Sequence, residues 1–149
     1  MDLDTLLEKN PEMFLLFRIA DQRYAIDAMS VIRISDYRES FDFPNTRCVF
    51  NEVVEMDGVM VPLFKLDQLL MTECDLKPKT LVIRGADESE RFAFYIDEAL
   101  ETISLQSSGI IIRPMPEIFD DDLLTEIIRH CIIRGNEIVP IIELYRLLG

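Results

Sequence analysis

Apolar residues in this chain cluster in short runs separated by polar turns. Phe14 to Ile19 is followed by Arg23 to Ile26, and Leu81 to Arg84 by Arg91 to Ile96; each pair has the length and composition of a β-hairpin. A further apolar run follows each pair, at Val31 to Ile34 and at Leu100 to Leu105. Val53-Val54 then reaches Val59-Met60-Val61 across Met56-Asp57-Gly58, and Ile132-Ile133 reaches Ile138-Val139 across Gly135-Asn136. Asp-Gly and Gly-Asn are tight-turn pairs, because such turns require positive φ.

The pattern occurs twice. Placed without gaps over Met60 to Leu70, the stretch Ile138 to Leu148 matches at Val61/Val139, Pro62/Pro140, Leu66/Leu144, Leu69/Leu147 and Leu70/Leu148. In each copy a proline ends an apolar run, and leucines spaced i, i+3, i+4 follow, the signature of a short helix packing one face. A proline cannot donate to a sheet ladder, so Pro62 and Pro140 belong where a strand lies at an edge or leaves its sheet. Upstream, Arg18 to Asp21 corresponds to Arg84 to Asp87, and Tyr24 to Asp27 to Phe94 to Asp97.

These elements predict a mainly β fold with about five strands per half, each half a small closed or nearly closed barrel. The halves span about residues 13–72 and 79–148 of a single domain, 1–149. Gln106 to Leu124, with Gly109, Pro114, Pro116 and three consecutive aspartates, reads as an irregular connection. Leu3, Leu6 and Leu7 fit a short amphipathic helix or a frayed terminus.

Composition narrows the function. Two halves of roughly 70 residues are each too small to be comfortably stable alone, so a shared core is expected. The 15 basic residues face 28 acidic ones, a net charge of −13, which repels phosphate backbones and argues against a nucleic-acid partner. No apolar run is long enough to span a bilayer, and the first ten residues lack the basic start of a secretory signal. Cys48, Cys74 and Cys131 form neither a disulfide framework nor a metal pair, which fits reduced thiols in a cytoplasm.

Catalytic groups do not converge. His130 is the one histidine, and Cys131 follows it directly, but neighbours on a strand point to opposite faces. A hydrolase using His130 and Cys131 is therefore the weaker reading. Asp120-Asp121-Asp122 lacks the spacing of a calcium loop and reads as a solvated loop or the acidic first turn of a helix. There is no phosphate-binding glycine motif, and no cofactor is implied. Most of the seven methionines read as core gap fillers.

Phe14 to Ile19 with Tyr24 to Asp27, then Val31 and Ile34, then Phe43-Pro44-Asn45, resembles the opening of the CheW family. Val53 to Leu66 is similar to that family's central hairpin, and Arg91 to Ile103 to its second recurring block. The resemblance implies two five-stranded SH3-like barrels around a common core, working as a chemotaxis adaptor without a cofactor. Its partners would be the regulatory domain of a CheA-type histidine kinase and the cytoplasmic tip of a chemoreceptor. By the same resemblance, the kinase side maps to Glu52, Met56, Asp57 and Gly58, and an apolar receptor groove between the barrels to Val31, Ile34 and Ile103. A regulatory module of a two-component system outside chemotaxis is the alternative. Asp57 stands where the family usually has arginine and Glu52 where it usually has glycine, so Asp57 either redirects partner choice or serves only as a turn former.

Overall fold

A computed structural model describes residues 13–42, 52–85, 87, 89–106, 109–116, 119 and 121–144. The Leu3, Leu6, Leu7 set, Phe43-Pro44-Asn45, Cys48, Asp120, Leu147 and Leu148 lie outside the described residues.

The described chain forms strands β1 (Met13–Ile19), β2 (Gln22–Asp27), β3 (Val31–Ser35), β4 (Ser40–Asp42), β5 (Glu52–Met56) and β6 (Val59–Leu63), then helix α1 (Leu66–Leu69). The second series is β7 (Lys79–Arg84), β8 (Arg91–Ile96), β9 (Glu98–Ser104), β10 (Ile110–Pro114), helix α2 (Asp122–Ile127), β11 (His130–Arg134) and β12 (Glu137–Ile141). A 3₁₀ turn at Ala28–Ser30 joins β2 to β3, its start capped by Asp27, which accepts from the Met29 amide. Each sheet has six strands, one more than expected. The added strands are β4, only three residues long, and β10, which lies inside the stretch read as irregular. The same stretch starts α2: Asp121 accepts from the amides of Leu123 and Leu124, so the acidic run is a helix start.

The two sheets do not divide where the repeat does. The C-terminal sheet has the order β10-β11-β12-β2-β1-β9, and the N-terminal sheet the order β3-β7-β8-β6-β5-β4. Segments 13–72 and 79–148 thus interlock, because each half contributes its first hairpin to the sheet that holds the other half's remaining strands. Burial supplies the reason. On β1 and β2, Leu15, Phe17, Ile19, Tyr24 and Ile26 face Leu81, Ile83, Phe92, Phe94 and Ile96 of β7 and β8 in one central core. Their opposite faces are covered as well: Phe14, Leu16 and Ala25 enter a core with Ile112, Ile132 and Val139, while Val82 and Ala93 enter another with Val54, Met56 and Val61. Hairpins buried on both sides read as nearly continuous apolar runs.

The duplication persists in the register. Val53 faces Pro62 and Cys131 faces Pro140, the equivalent place in each half. One residue on, β6 meets β8 at Leu63 and Ala93, and β12 meets β2 at Ile141 and Ala25, both parallel. The next amides, of Phe64 and Ile142, donate to the carbonyls of Ala93 and Ala25, each at 2.7 Å. The prolines therefore sit where a strand leaves one ladder and turns toward another. Leu66 and Leu144 are both buried beyond them. Register equates Ala25 with Ala93, so the match of Tyr24–Asp27 with Phe94–Asp97 is displaced by two residues; the side-chain faces survive because two is the period of a strand. At the turns, Asp57 (φ 53) and Gly58 (φ 83) are both left-handed, as a type I′ hairpin requires, whereas in the second turn only Gly135 (φ 62) is.

A shared central core should make unfolding one cooperative transition. Phe17 is fully buried, with its ring centroid 5.9 Å from Tyr24 and 5.7 Å from Phe94. Phe17→Ala is expected to cost about 3–5 kcal/mol, and urea unfolding followed by circular dichroism should show a single shifted transition. Two separate transitions would contradict the shared core.

Candidate functional site

The β5–β6 hairpin does not present all four residues assigned to it. Met56 points into the core of the N-terminal sheet and is 6% exposed, because Val54 and Met56 share the inward face of β5. Glu52 lies at the far end of the strand, roughly 16 Å from Asp57 at the usual rise per residue. It is occupied there, accepting from Ser40 Oγ and pairing with Lys65 Nζ, both at 2.5 Å. Burial disfavours its charge, but the hydrogen bonds from Lys65 and Ser40 and the Lys65 charge outweigh this and hold its carboxyl below the ordinary value. Only Asp57 and Gly58 form an exposed tip.

Asp57 is not a free carboxylate. Arg33 of β3 donates to its Oδ2 at 2.5 Å, across the mouth of the sheet. Beside this clasp is a cleft of about 330 Å3 lined by Arg38, Glu39, Phe41, Glu55, Asp57 and Gly58. Phe41, which lines it, and Val59 and Met60, which follow the turn on β6, are each half or more exposed. The sequence reading missed Phe41 and Arg38; the available signal was an aromatic residue set between acidic Glu39 and Asp42 in a stretch too short to read as a strand.

On the other proposed face, a β-bulge decides the geometry. Val31 pairs with Ile83 and Arg33 with Val82, so Ile32 is the extra residue. Val31 and Ile34 consequently share the face of Ile83 and Leu81, although strict alternation would separate them. Val31 packs on the central core, and Ile34 lies at its rim, 40% exposed. Ile103 does not join them: opposite Phe14, it turns into the core of the C-terminal sheet and is 7% exposed. Its strand carries the equivalent bulge at Leu100, which places Ala99 and Thr102 where Val31 and Ile34 stand in the other half.

His130 and Cys131 do not meet. His130 Nδ1 is 2.9 Å from Glu143 Oε1 in a buried pair, while Cys131, on the opposite face of β11, has its thiol pushed up by burial. A strand cannot turn both side chains to one substrate, so the hydrolase reading fails on geometry. Cys74 is likewise a poor nucleophile, because burial and the charges of Asp97, Asp67 and Asp75 push its thiol up to about 12. Among the described residues no cluster of three or more histidine, cysteine, aspartate or glutamate side chains could hold a metal ion.

The buried pair has a counterpart in the other half: His130 and Glu143 occupy the places of Glu52 and Lys65, with acid and base exchanged. The clasp does too, since Arg134 beside the second turn pairs at 3.0 Å with Glu101, which occupies the place of Arg33. Each sheet is thus cross-tied at two corresponding places with opposite polarity, the second clasp one residue out of step because Arg134 matches Met56 and not Asp57.

Comparison with known proteins gives one consistent picture. A family model described as CheW-like domain matches residues 13–149. The probable chemotaxis protein CheW of Rhizobium etli is 23% identical over 144 residues, 96% of this chain and 91% of that protein. The chemotaxis protein CheW of Klebsiella aerogenes is 25% identical over 137 residues, 91% and 81% respectively. The crystal structure of the scaffolding protein TtCheW from Thermoanaerobacter tengcongensis superimposes with a TM-score of 0.73 at 17% identity, covering 93% of this chain and 92% of that one. No helix among the described residues is long and apolar enough to cross a membrane.

Two measurements test these electrostatics. Because the folded state lowers the carboxyl of Glu52, its contribution is present above the ordinary glutamate value and is lost as pH falls through the lowered one. Glu52→Gln should therefore flatten the acid limb of the stability–pH curve and leave its alkaline limb unchanged. For the exposed Arg33–Asp57 clasp, a double-mutant cycle with Arg33→Met and Asp57→Asn should give a coupling of about 0.2–1 kcal/mol, reduced by salt. No coupling at low salt would mean that the two side chains do not interact.

Proposed function

The chain belongs to the CheW-like domain family, and on that premise we propose that it is a non-catalytic chemotaxis adaptor joining a CheA-type histidine kinase to chemoreceptors in the cytoplasm. The observation that carries the proposal is the family match across residues 13–149, in a fold that exposes both the Asp57–Gly58 tip and the rim at Ile34. The kinase regulatory domain is assigned to the tip at Asp57 and Gly58 together with Phe41, Val59 and Met60. The receptor tip is assigned to the rim at Val31 and Ile34. Ile103 supports the groove from inside the adjoining core, and Glu52 and Met56 support the hairpin from behind. Binding alone is the activity, and no cofactor takes part.

The clasp sharpens the reading of Asp57. With Arg33 on its carboxylate, the tip offers a partly neutralised ion pair beside apolar Phe41 and Met60, so a partner binds it by packing and by matching the order of the two charges. A conventional kinase surface that expects arginine at the tip meets the reverse order.

Titration of the purified chain with a kinase regulatory domain, and separately with a receptor tip fragment, tests the assignment. Exchanging the pair, Arg33→Asp with Asp57→Arg, keeps the clasp while presenting the cation at the tip. It is expected to weaken the native kinase about tenfold, as one lost favourable contact of roughly 1.4 kcal/mol would, and to strengthen a conventional CheA domain. Ile34→Asp should weaken the receptor fragment by a similar factor and leave the melting temperature unchanged. If the folded exchange variant binds both kinases as the parent does, the tip is not the kinase surface; unchanged receptor affinity in Ile34→Asp removes the rim.

A further inference from the structure

The cleft beside Asp57 has two walls of different construction. The hairpin wall, with Glu55, Asp57 and Gly58, is fixed by the β5–β6 ladder and by the Arg33 clasp. The facing wall begins at Arg38 and Glu39, in a stretch, Asp36 to Glu39, that belongs to no strand or helix. Strand β4 continues it at Phe41 through only three paired residues. A backbone that leaves a sheet must find its hydrogen bonds elsewhere.

At Arg38 they come from two side chains of β7 and β8. The Arg38 amide donates to Thr80 Oγ1 at 3.2 Å, and the Tyr95 hydroxyl donates to the Arg38 carbonyl at 2.6 Å. Thr80 and Tyr95 stand opposite one another in the β7–β8 ladder, on the face that carries Val82 and Ala93, so both reach the same residue. Three of the described residues are polar and buried: His130 and Glu143 pair with one another, and Thr80, with no exposed surface, serves Arg38. Burial above all pushes the Tyr95 phenol up to about 12, which keeps it a donor at neutral pH. The Tyr37 ring lies on that of Tyr95, with centroids 5.6 Å apart, and Lys79 Nζ donates to Asp36 Oδ1 at 2.9 Å. The Lys79–Asp36 pair is exposed and adds little. Thr80 and Tyr95 are the anchors of the segment.

Resting on the reading of this tip as the kinase surface, we propose that Thr80 and Tyr95 are its positioning residues: through the Arg38 backbone they hold the wall from Arg38 to Phe41 in the shape that the kinase meets. A wall held before binding needs no ordering at encounter. Once it is released, only the fraction of molecules with the wall in place can bind, and the affinity falls by that fraction. The rim at Val31 and Ile34 is insulated from this effect, because these residues pair with Ile83 and Leu81, whose side chains occupy the opposite face of the sheet. Thr80 is the decisive residue of the two, since a side chain with no exposed surface acts on a partner only through what it holds.

Tyr95→Phe removes the donor and keeps the ring, and Thr80→Val removes the acceptor and keeps the shape, whereas Thr80→Ser retains the hydroxyl. In the full chain, hydrogen exchange of the Arg38 amide followed by NMR should be faster than in the parent for the first two variants and unchanged for Thr80→Ser. Titration with a kinase regulatory domain should show an affinity about three- to tenfold lower for Tyr95→Phe and Thr80→Val, the net worth of one hydrogen bond, and the parent affinity for Thr80→Ser. Affinity for a receptor tip fragment should be the same in all three. Unchanged exchange at Arg38 overturns the proposal. So does an equal loss toward kinase and receptor, which would mean that the whole fold had loosened. If exchanging Arg33 and Asp57 alters kinase binding while Tyr95→Phe and Thr80→Val do not, the tip remains the kinase surface and the positioning role falls. If none of these variants alters it, the kinase binds elsewhere and both readings fall. Should Thr80→Val not fold, Tyr95→Phe decides by the same measurements.

Discussion

The structure depends on one requirement: two hairpins, β1–β2 and β7–β8, must be buried on both faces. Phe17 and Phe94 meet in the middle of the molecule, each with no exposed surface, and the reverse faces at Leu16 and Val82 close off two further cores. A small half-chain cannot cover both sides of its own leading hairpin with the strands it has left. Exchange of hairpins between the halves solves the problem for both at once. The prolines and the parallel contacts at Ala25 and Ala93 are the joinery that this exchange requires.

The apolar runs made most of the strands legible, because a strand buried on both sides writes its burial into every residue. Phe14 to Ile19 and Leu81 to Ile83 are such cases. Which sheet a strand enters is another matter. Period and composition encode faces, not neighbours, so the duplication was plain at Pro62 and Pro140 while the crossing of the halves was not. The two-residue displacement between Tyr24–Asp27 and Phe94–Asp97 has the same origin, since a slip of two keeps every side chain on its face. The weak strands β4 and β10 escaped notice because one is three residues long and the other is surrounded by proline and acidic residues.

The candidate surfaces were less legible for a related reason. No local pattern announces the bulge at Ile32 that puts Val31 and Ile34 on one face, or that alternation turns Met56 and Ile103 inward. Arg33 and Asp57 are 24 residues apart, and only the curl of the sheet brings them together. Read alone, Asp57 offered a choice between turn former and recognition residue. In place, it is both the first central residue of a type I′ turn and the counter-charge of an arginine on the far edge of its sheet.

The opposite polarity of the equivalent ion pairs bears on how a duplicated chain tells its own copies apart. Strands β3 and β9 carry the same bulge and occupy equivalent slots, so shape alone would let either fill the other's place during folding. Charge forbids it. With β9 in the slot of β3, Glu101 would face Asp57; with β3 in the slot of β9, Arg33 would face Arg134. Each misplacement sets like charges together, and only the correct assignment satisfies both. The ion pairs thus work as an address label on two strands of matching shape.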